Sequence, residues 1–184
     1  MIRIILLCSL IFFGCNNDKS SGIDSYRVPK STEMSVKSEL GLIQSTELFS
    51  WNVPDNWIQA NTTPFSQANY LIPSPEGSAD ITVSYFEGNA GGIEANINRW
   101  RMQLGLQELS KEQIDLIGET FSSKIGQYTI YKIINPDNNK SGFLCSIIPT
   151  KNHTIFIKLK TYPETIDYLK EQFIKFSSSF DYNE

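Results

Sequence analysis

The chain has 184 residues, 16 of them basic and 20 acidic, for a net charge of −4 at pH 7. That balance supplies no basic surface for nucleic acid, and the length suits one domain with a sizeable core rather than two. A single histidine and three cysteines exclude His–His metal motifs and leave little for nucleophilic catalysis.

Met1-Ile2-Arg3 opens the chain with a positive charge, residues 4–13 are almost unbroken apolar, and Gly14 stands directly before Cys15. The pattern predicts a lipoprotein signal peptide over residues 1–14, cut before Cys15, whose thiol then carries the lipid. The apolar run falls short of the roughly 20 residues a membrane-crossing helix needs, so it is expected to be cleaved rather than retained. Several acyl chains on one cysteine hold a protein to a bilayer durably, where a single chain would not. Because Asn16 rather than an aspartate follows Cys15, the expected location is the outer membrane of a two-membrane cell, or otherwise the outer face of the plasma membrane. Loss of Arg3 leaves 15 basic against 20 acidic residues, a mature charge of −5. Cys8 leaves with the signal and Cys15 takes the lipid, so Cys145 has no partner for an internal disulfide.

Residues 15–47 are rich in Ser, Lys and Glu without apolar periodicity and read as the lipidated cysteine and a flexible tether, with a root-mean-square span of roughly 30 Å. A single α+β domain is expected over residues 48–184. Residues 48–53 and 65–72 read as strands, and residues 79–86 alternate so that Ile81, Val83 and Tyr85 share one face. The cluster Gly88-Asn89-Ala90-Gly91-Gly92 then breaks the chain. Ile93, Ile97, Trp100 and Leu104 follow at helical spacing and form a narrow apolar stripe ending near Gly105. Strands at residues 127–134, 143–148 and 154–160 are joined by turns too short for crossover helices, which predicts an antiparallel meander. Thr161-Tyr162-Pro163-Glu164 resembles a capping box, opening a helix whose buried stripe is Ile166, Leu169, Phe173, Phe176 and Phe180. An antiparallel sheet with helices laid on it is an α/β/α sandwich.

The segments Trp51-Asn52-Val53-Pro54-Asp55-Asn56-Trp57 and Ala79-Asp80-Ile81-Thr82-Val83-Ser84 resemble a group of uncharacterised bacterial secreted proteins and lipoproteins. So does the block Ala95-Asn96-Ile97-Asn98-Arg99-Trp100-Arg101-Met102-Gln103-Leu104-Gly105-Leu106, the distinctive part. That group is similar in outline to the Mog1/PsbP-like α/β/α sandwich. The match covers residues 51–106, and the second half agrees only in its order of strand, strand and helix. The resemblance implies a fold; the Mog1/PsbP-like relatives are partner-binding proteins, and the bacterial group offers no activity to carry over.

Among candidate sites, Gly91 and Gly92 stand in a loop before a helix, where backbone N–H groups attract anions. The loop matches neither the phosphate-loop nor the dinucleotide pattern, and as a turn with positive φ values it needs no ligand. Arg99 and Arg101 flank Trp100 and project to opposite sides of the helix, with Asn96 beside the first and Asn98 beside the second. They suit bidentate recognition of a carboxylate or a partner's acidic patch, and equally a bracing role. Pairing across the 149–152 turn would set Ile148 opposite His153 and Cys145 opposite Phe156, placing Cys145 and His153 on opposite faces. Trp51 and Trp57 fit a hydrophobic lock on the sheet edge better than a ligand platform. The sequence therefore points to a membrane-anchored, non-enzymatic binding or adaptor module with an envelope protein as partner, needing neither cofactor nor metal. The rivals are an envelope hydrolase with a carboxylate site assembled by folding and a small-anion binder at the glycine loop.

Overall fold

The computed structural model describes residues 36–38, 41–138 and 140–183. The expectations for the signal peptide, for Cys15 and for the chain up to residue 35 lie outside the described residues. In chain order the elements are β1 (Val36–Ser38), β2 (Gly41–Ser45), β3 (Phe49–Val53), β4 (Ile58–Ala60), β5 (Ala68–Ser74) and β6 (Gly77–Glu87). There follow α1 (Ile93–Gln103), α2 (Lys111–Ile117), β7 (Gly118–Ser123), β8 (Gly126–Ile134), β9 (Gly142–Pro149), β10 (His153–Thr161), α3 (Pro163–Ser178) and β11 (Asp181–Tyr182).

Strand β9 is an apolar run because both its faces are covered. Phe143, Cys145 and Ile147 are buried on one side, Leu144, Ser146 and Ile148 on the other. It lies beside β10 in a seven-stranded antiparallel sheet of order β4-β5-β6-β10-β9-β8-β7. The meander expected from the short turns is β8-β9-β10. By contrast, β6 alternates: Ala79, Ile81 and Val83 are buried, while Asp80 is exposed and Thr82 and Ser84 are half-exposed. One face of that strand meets the core and the other does not.

The first face of the large sheet is covered by α3 and by β3 of the smaller antiparallel sheet β1-β2-β3-β11. Ile166, Leu169, Phe173 and Phe176 of α3, and Phe180 just beyond it, are buried there as their spacing predicts. Trp51 of β3 stacks on Phe180 at 5.0 Å, and its Nε1–H donates to the Tyr70 hydroxyl at 2.9 Å. Trp57 packs against Phe176 at 4.6 Å, so both tryptophans lie inside the core. A methyl group on Gly142 would come within 2.7 Å of Ile166 Cδ1, which shows how closely α3 approaches β9. The opposite face carries α1 and α2 over a second core of Ile97, Trp100, Leu104, Ile114, Tyr131, Ile133, Phe143, Cys145, Ile147 and Phe156. Helices on both faces of an antiparallel sheet make the α+β sandwich that the sequence implies.

Three expectations need correction. Strand β2 pairs with β3, Gln44 opposite Trp51, so regular structure starts upstream of Leu48, inside the segment read as tether. Phe65 belongs to the turn before β5 and is 76% exposed. The capping box at Thr161 does not form, because Thr161 closes the β10 ladder opposite Gly142 and is buried. Tyr162 is the N-cap instead, without a side-chain cap, and Pro163 supplies the first helical residue.

Phe173 is fully buried beneath α3, so Phe173→Ala is expected to lower unfolding free energy by about 3–5 kcal/mol in a urea titration. Phe65→Ala should change it by no more than about 0.5 kcal/mol, and equal losses at the two positions would contradict this packing.

Candidate functional site

Residues 88–92 turn the chain out of β6 and into α1 through a run of positive φ angles: 62° at Gly88, 49° at Ala90, 85° at Gly91 and 84° at Gly92. Glycine is at home in that region, and Ala90 is held there by its neighbours. Gly88 N–H donates to the Asn152 carbonyl at 2.8 Å, and the Thr154 hydroxyl donates to the Gly88 carbonyl at 2.7 Å. The loop is thereby tied to the β9–β10 turn. From α1, the buried Asn96 amide donates to the carbonyls of Ala90 and Gly92 at 2.9 and 2.7 Å. Asn96 Oδ1 in turn accepts from Arg99 Nη2 at 2.5 Å. Loop, asparagine and arginine form one chain of hydrogen bonds that sets the guanidinium's position.

The other flank of α1 is wired to the segment leading into α2. Asn98 Nδ2 donates to the Leu109 carbonyl and its Oδ1 accepts from Leu109 N–H, both at 2.9 Å. Arg101 Nε donates to the Gln107 carbonyl at 2.8 Å, and Asn135 Nδ2 caps the Leu104 carbonyl at 2.7 Å. Gly105, with φ 73°, ends the helix in the left-handed conformation common just past a C-terminus. Next, Ser110 opens α2 with a full capping box: its hydroxyl accepts from Gln113 N–H while Gln113 Oε1 accepts from Ser110 N–H.

Between α1 and α2 runs a groove of about 670 Å³. Gly91, Gly92, Glu94, Asn98, Arg99 and Met102 line it from one side, and Glu108, Lys111, Ile114 and Asp115 from the other. Four of the six residues singled out in the sequence therefore meet there. Asn96 lies behind the groove, holding the loop, and Arg101 faces the linker rather than the cavity. Ile93, expected in the buried stripe, is 41% exposed and lines the groove; as the first helical residue it stands at the open end of α1. Within the groove Lys111 and Asp115 pair at 2.6 Å, and that contact holds the Lys111 ammonium above the ordinary lysine range. Both groups are exposed, so the pair adds little to stability.

Lys158 has a different setting. It is half-buried on the α1 face of β10, with Nζ 4.8 Å from the centroid of the Phe143 ring and donating to Gln103 Oε1 at 3.2 Å. Burial pushes its ammonium below the ordinary lysine range, and the positive charges of Lys160 and Arg99 push the same way. Cys145, beside it in the ladder, is fully buried, and desolvation drives its thiol far up in pKa, leaving it unreactive. The β9–β10 register sets Ile148 opposite Ile155 and Cys145 opposite Lys158. This differs by two residues from the expected pairing and so preserves the faces. Cys145 belongs to the core under α1, whereas His153 packs edge-on against Phe49 and Tyr85 on the other side. Among the described residues no group of three or more His, Cys, Asp or Glu side chains is placed to hold a metal ion.

Glu108, Lys111 and Asp115 were not foreseen as site residues. The missed signal was the pattern Ser110-x-x-Gln113, which marks a helix start. Lys158 could not be found from spacing, since its setting comes from the crossing of α1 over the sheet.

Neither a protein-family model nor a curated protein sequence matches the chain. The solved structures it resembles include the solution structure of cyanobacterial PsbP (CyanoP) from Synechocystis sp. PCC 6803. The identity is 15% and the TM-score 0.48, over 73% of this chain and 86% of that one. LpqN, involved in cell envelope biogenesis of Mycobacterium tuberculosis, aligns at 12% identity and a TM-score of 0.43, over 83% of this chain and 91% of that one. A protein from Bacteroides thetaiotaomicron aligns at 13% identity and a TM-score of 0.43, over 74% of this chain; the chain spans 45% of that protein's length.

Asn98→Ala removes both hydrogen bonds to Leu109 and leaves two backbone groups unpaired, so it is expected to lower unfolding free energy by about 1–3 kcal/mol. Amide exchange across residues 107–117 should accelerate in the variant, and unchanged exchange there would contradict the bracing role.

Proposed function

We propose that the protein is a lipid-anchored module of the bacterial cell envelope that binds an envelope protein through the α1–α2 groove and catalyses no reaction. The observation that carries this reading is the groove itself. Exposed apolar groups, Met102 at 56% and Ile93 at 41%, lie beside Arg99 in a surface whose backbone is pinned from both flanks. A pre-organised surface of that kind loses little freedom on binding, and arginine beside apolar contacts is a common anchor of protein interfaces. Gly91, Gly92, Asn98 and Arg99 are its proposed contact residues, with Asn96 and Arg101 as supports.

The anchor half of the proposal rests on the residues around Cys15. Among the described residues no helix is long and apolar enough to cross a membrane. Cys15→Ser is expected to move the protein from the membrane fraction to the soluble fraction of the envelope, and unchanged retention would refute lipid anchoring.

The groove half is tested by affinity purification of the tagged chain from gently solubilised membranes. A stoichiometric partner recovered with the native chain should be lost with Arg99→Ala and Met102→Glu, both surface changes of small effect on stability. A partner that survives both changes would remove the groove from the interface. If no partner is recovered and the groove residues instead alter turnover of an envelope substrate, the non-catalytic reading fails.

A further inference from the structure

Helix α1 covers only half of its face of the large sheet. The buried core beneath it draws on β8, β9 and β10, and β6 adds the partly exposed Phe86, whose ring lies 6.1 Å from that of Phe156. Where the covered half meets the uncovered half, β10 presents Lys158 and Lys160, two residues apart and so on one face. The register sets Thr82 and Asp80 of β6 opposite them, and α1 closes the corner with Gln103 and Arg99.

The charges in this corner do not balance. No ion pair forms at Lys158, Lys160 or Arg99 among the described residues, although Asp80 stands opposite Lys160 in the ladder. The positive charges of Lys160 and Arg99 both act on Lys158. Its polar contacts are neutral: the Gln103 amide oxygen and the Phe143 ring. A half-buried ammonium normally has a carboxylate or reaches water, because desolvation is costly without a counter-charge. The long stem of Lys158 could cover Phe143 and leave its head in water. Its head donates to the amide oxygen of Gln103, an exposed side chain, and lies over the ring, and neither of these contacts carries a negative charge.

We propose that this corner is a binding site for an anionic ligand, with carboxylate or phosphate oxygens received by Lys158, Lys160 and Arg99 against the uncovered strip of β6. Lys158 serves as the fixed point charge at its base, and the Arg99 guanidinium, positioned by Asn96, offers its remaining N–H donors. Thr82 and Ser84 add hydroxyls on the same face of the sheet. The site is separate from the groove in all but Arg99, and Lys158 and Lys160 do not line the groove.

The test is isothermal titration of the full chain in nonionic detergent at low ionic strength, with citrate in one arm and inorganic phosphate in the other, against a chloride control. At least one of the two should bind saturably, and the arm that does so names the ligand's chemistry. Lys158→Met keeps the stem over Phe143 and removes the charge; it should weaken binding about tenfold or more, as should Lys160→Met. Met102→Ala, a groove change that adds no charge beside Arg99, should leave anion affinity intact, so that failure of the groove proposal and failure of this one are told apart. Absence of saturable binding in both arms would overturn the site, as would binding that both lysine variants retain.

Discussion

The structure depends on covering β9 and β10 from both sides. Seven consecutive residues of β9, from Gly142 to Ile148, are buried, and an isolated sheet cannot bury both faces of one strand. Two layers must be supplied, and the chain supplies them from different places. Helix α3 and β3 come from its two ends to cover one face, while α1 and α2 come from the middle to cover the other. Cys145 and Ser146 are held in the same strand without reaching solvent.

This constraint also says which parts of the sequence are legible. Regular apolar spacing marked Ile97, Trp100 and Leu104 on α1 and Ile166, Leu169, Phe173 and Phe176 on α3, with Phe180 just beyond it, because a helix pressed on a sheet must keep one face apolar. The alternation of β6 was equally plain, since only one of its faces is covered. What escaped was either short, polar or set by tertiary contact. Strand β7 is a sheet edge of mixed composition, Gly118-Glu119-Thr120-Phe121-Ser122-Ser123, with no strong period. Helix α2 is seven residues long and buries only Ile114. Thr161 carried a helix-start signal that its place in the β10 ladder overrode, whereas the same signal at Ser110 was real. Local chemistry offers both caps, and only the surrounding pairing chooses between them.

The site follows the same division. Asn96, Asn98, Arg99 and Arg101 stood out as one polar block around a buried tryptophan, and the structure divides their work. Two asparagines stitch loop and linker to the helix, Arg101 braces the linker, and Arg99 alone is carried to the surface as a positioned cation. The α2 side of the groove was marked in the sequence only by the capping pattern at Ser110, whereas the half-buried Lys158 comes from a strand distant in sequence and no local pattern announced it. The uncovered half of the sheet beside α1 follows from the limited width of one short helix laid on seven strands.

Native-state amide exchange of the whole domain tests this account most directly. If two-sided burial of β9 and β10 organises the fold, amides of those strands should exchange most slowly of all, and only through global unfolding. The α1 amides should be nearly as protected, as befits a helix pinned at loop and linker. Exchange of β9 and β10 by local opening, or protection no greater than that of the half-covered β4 and β5, would contradict it.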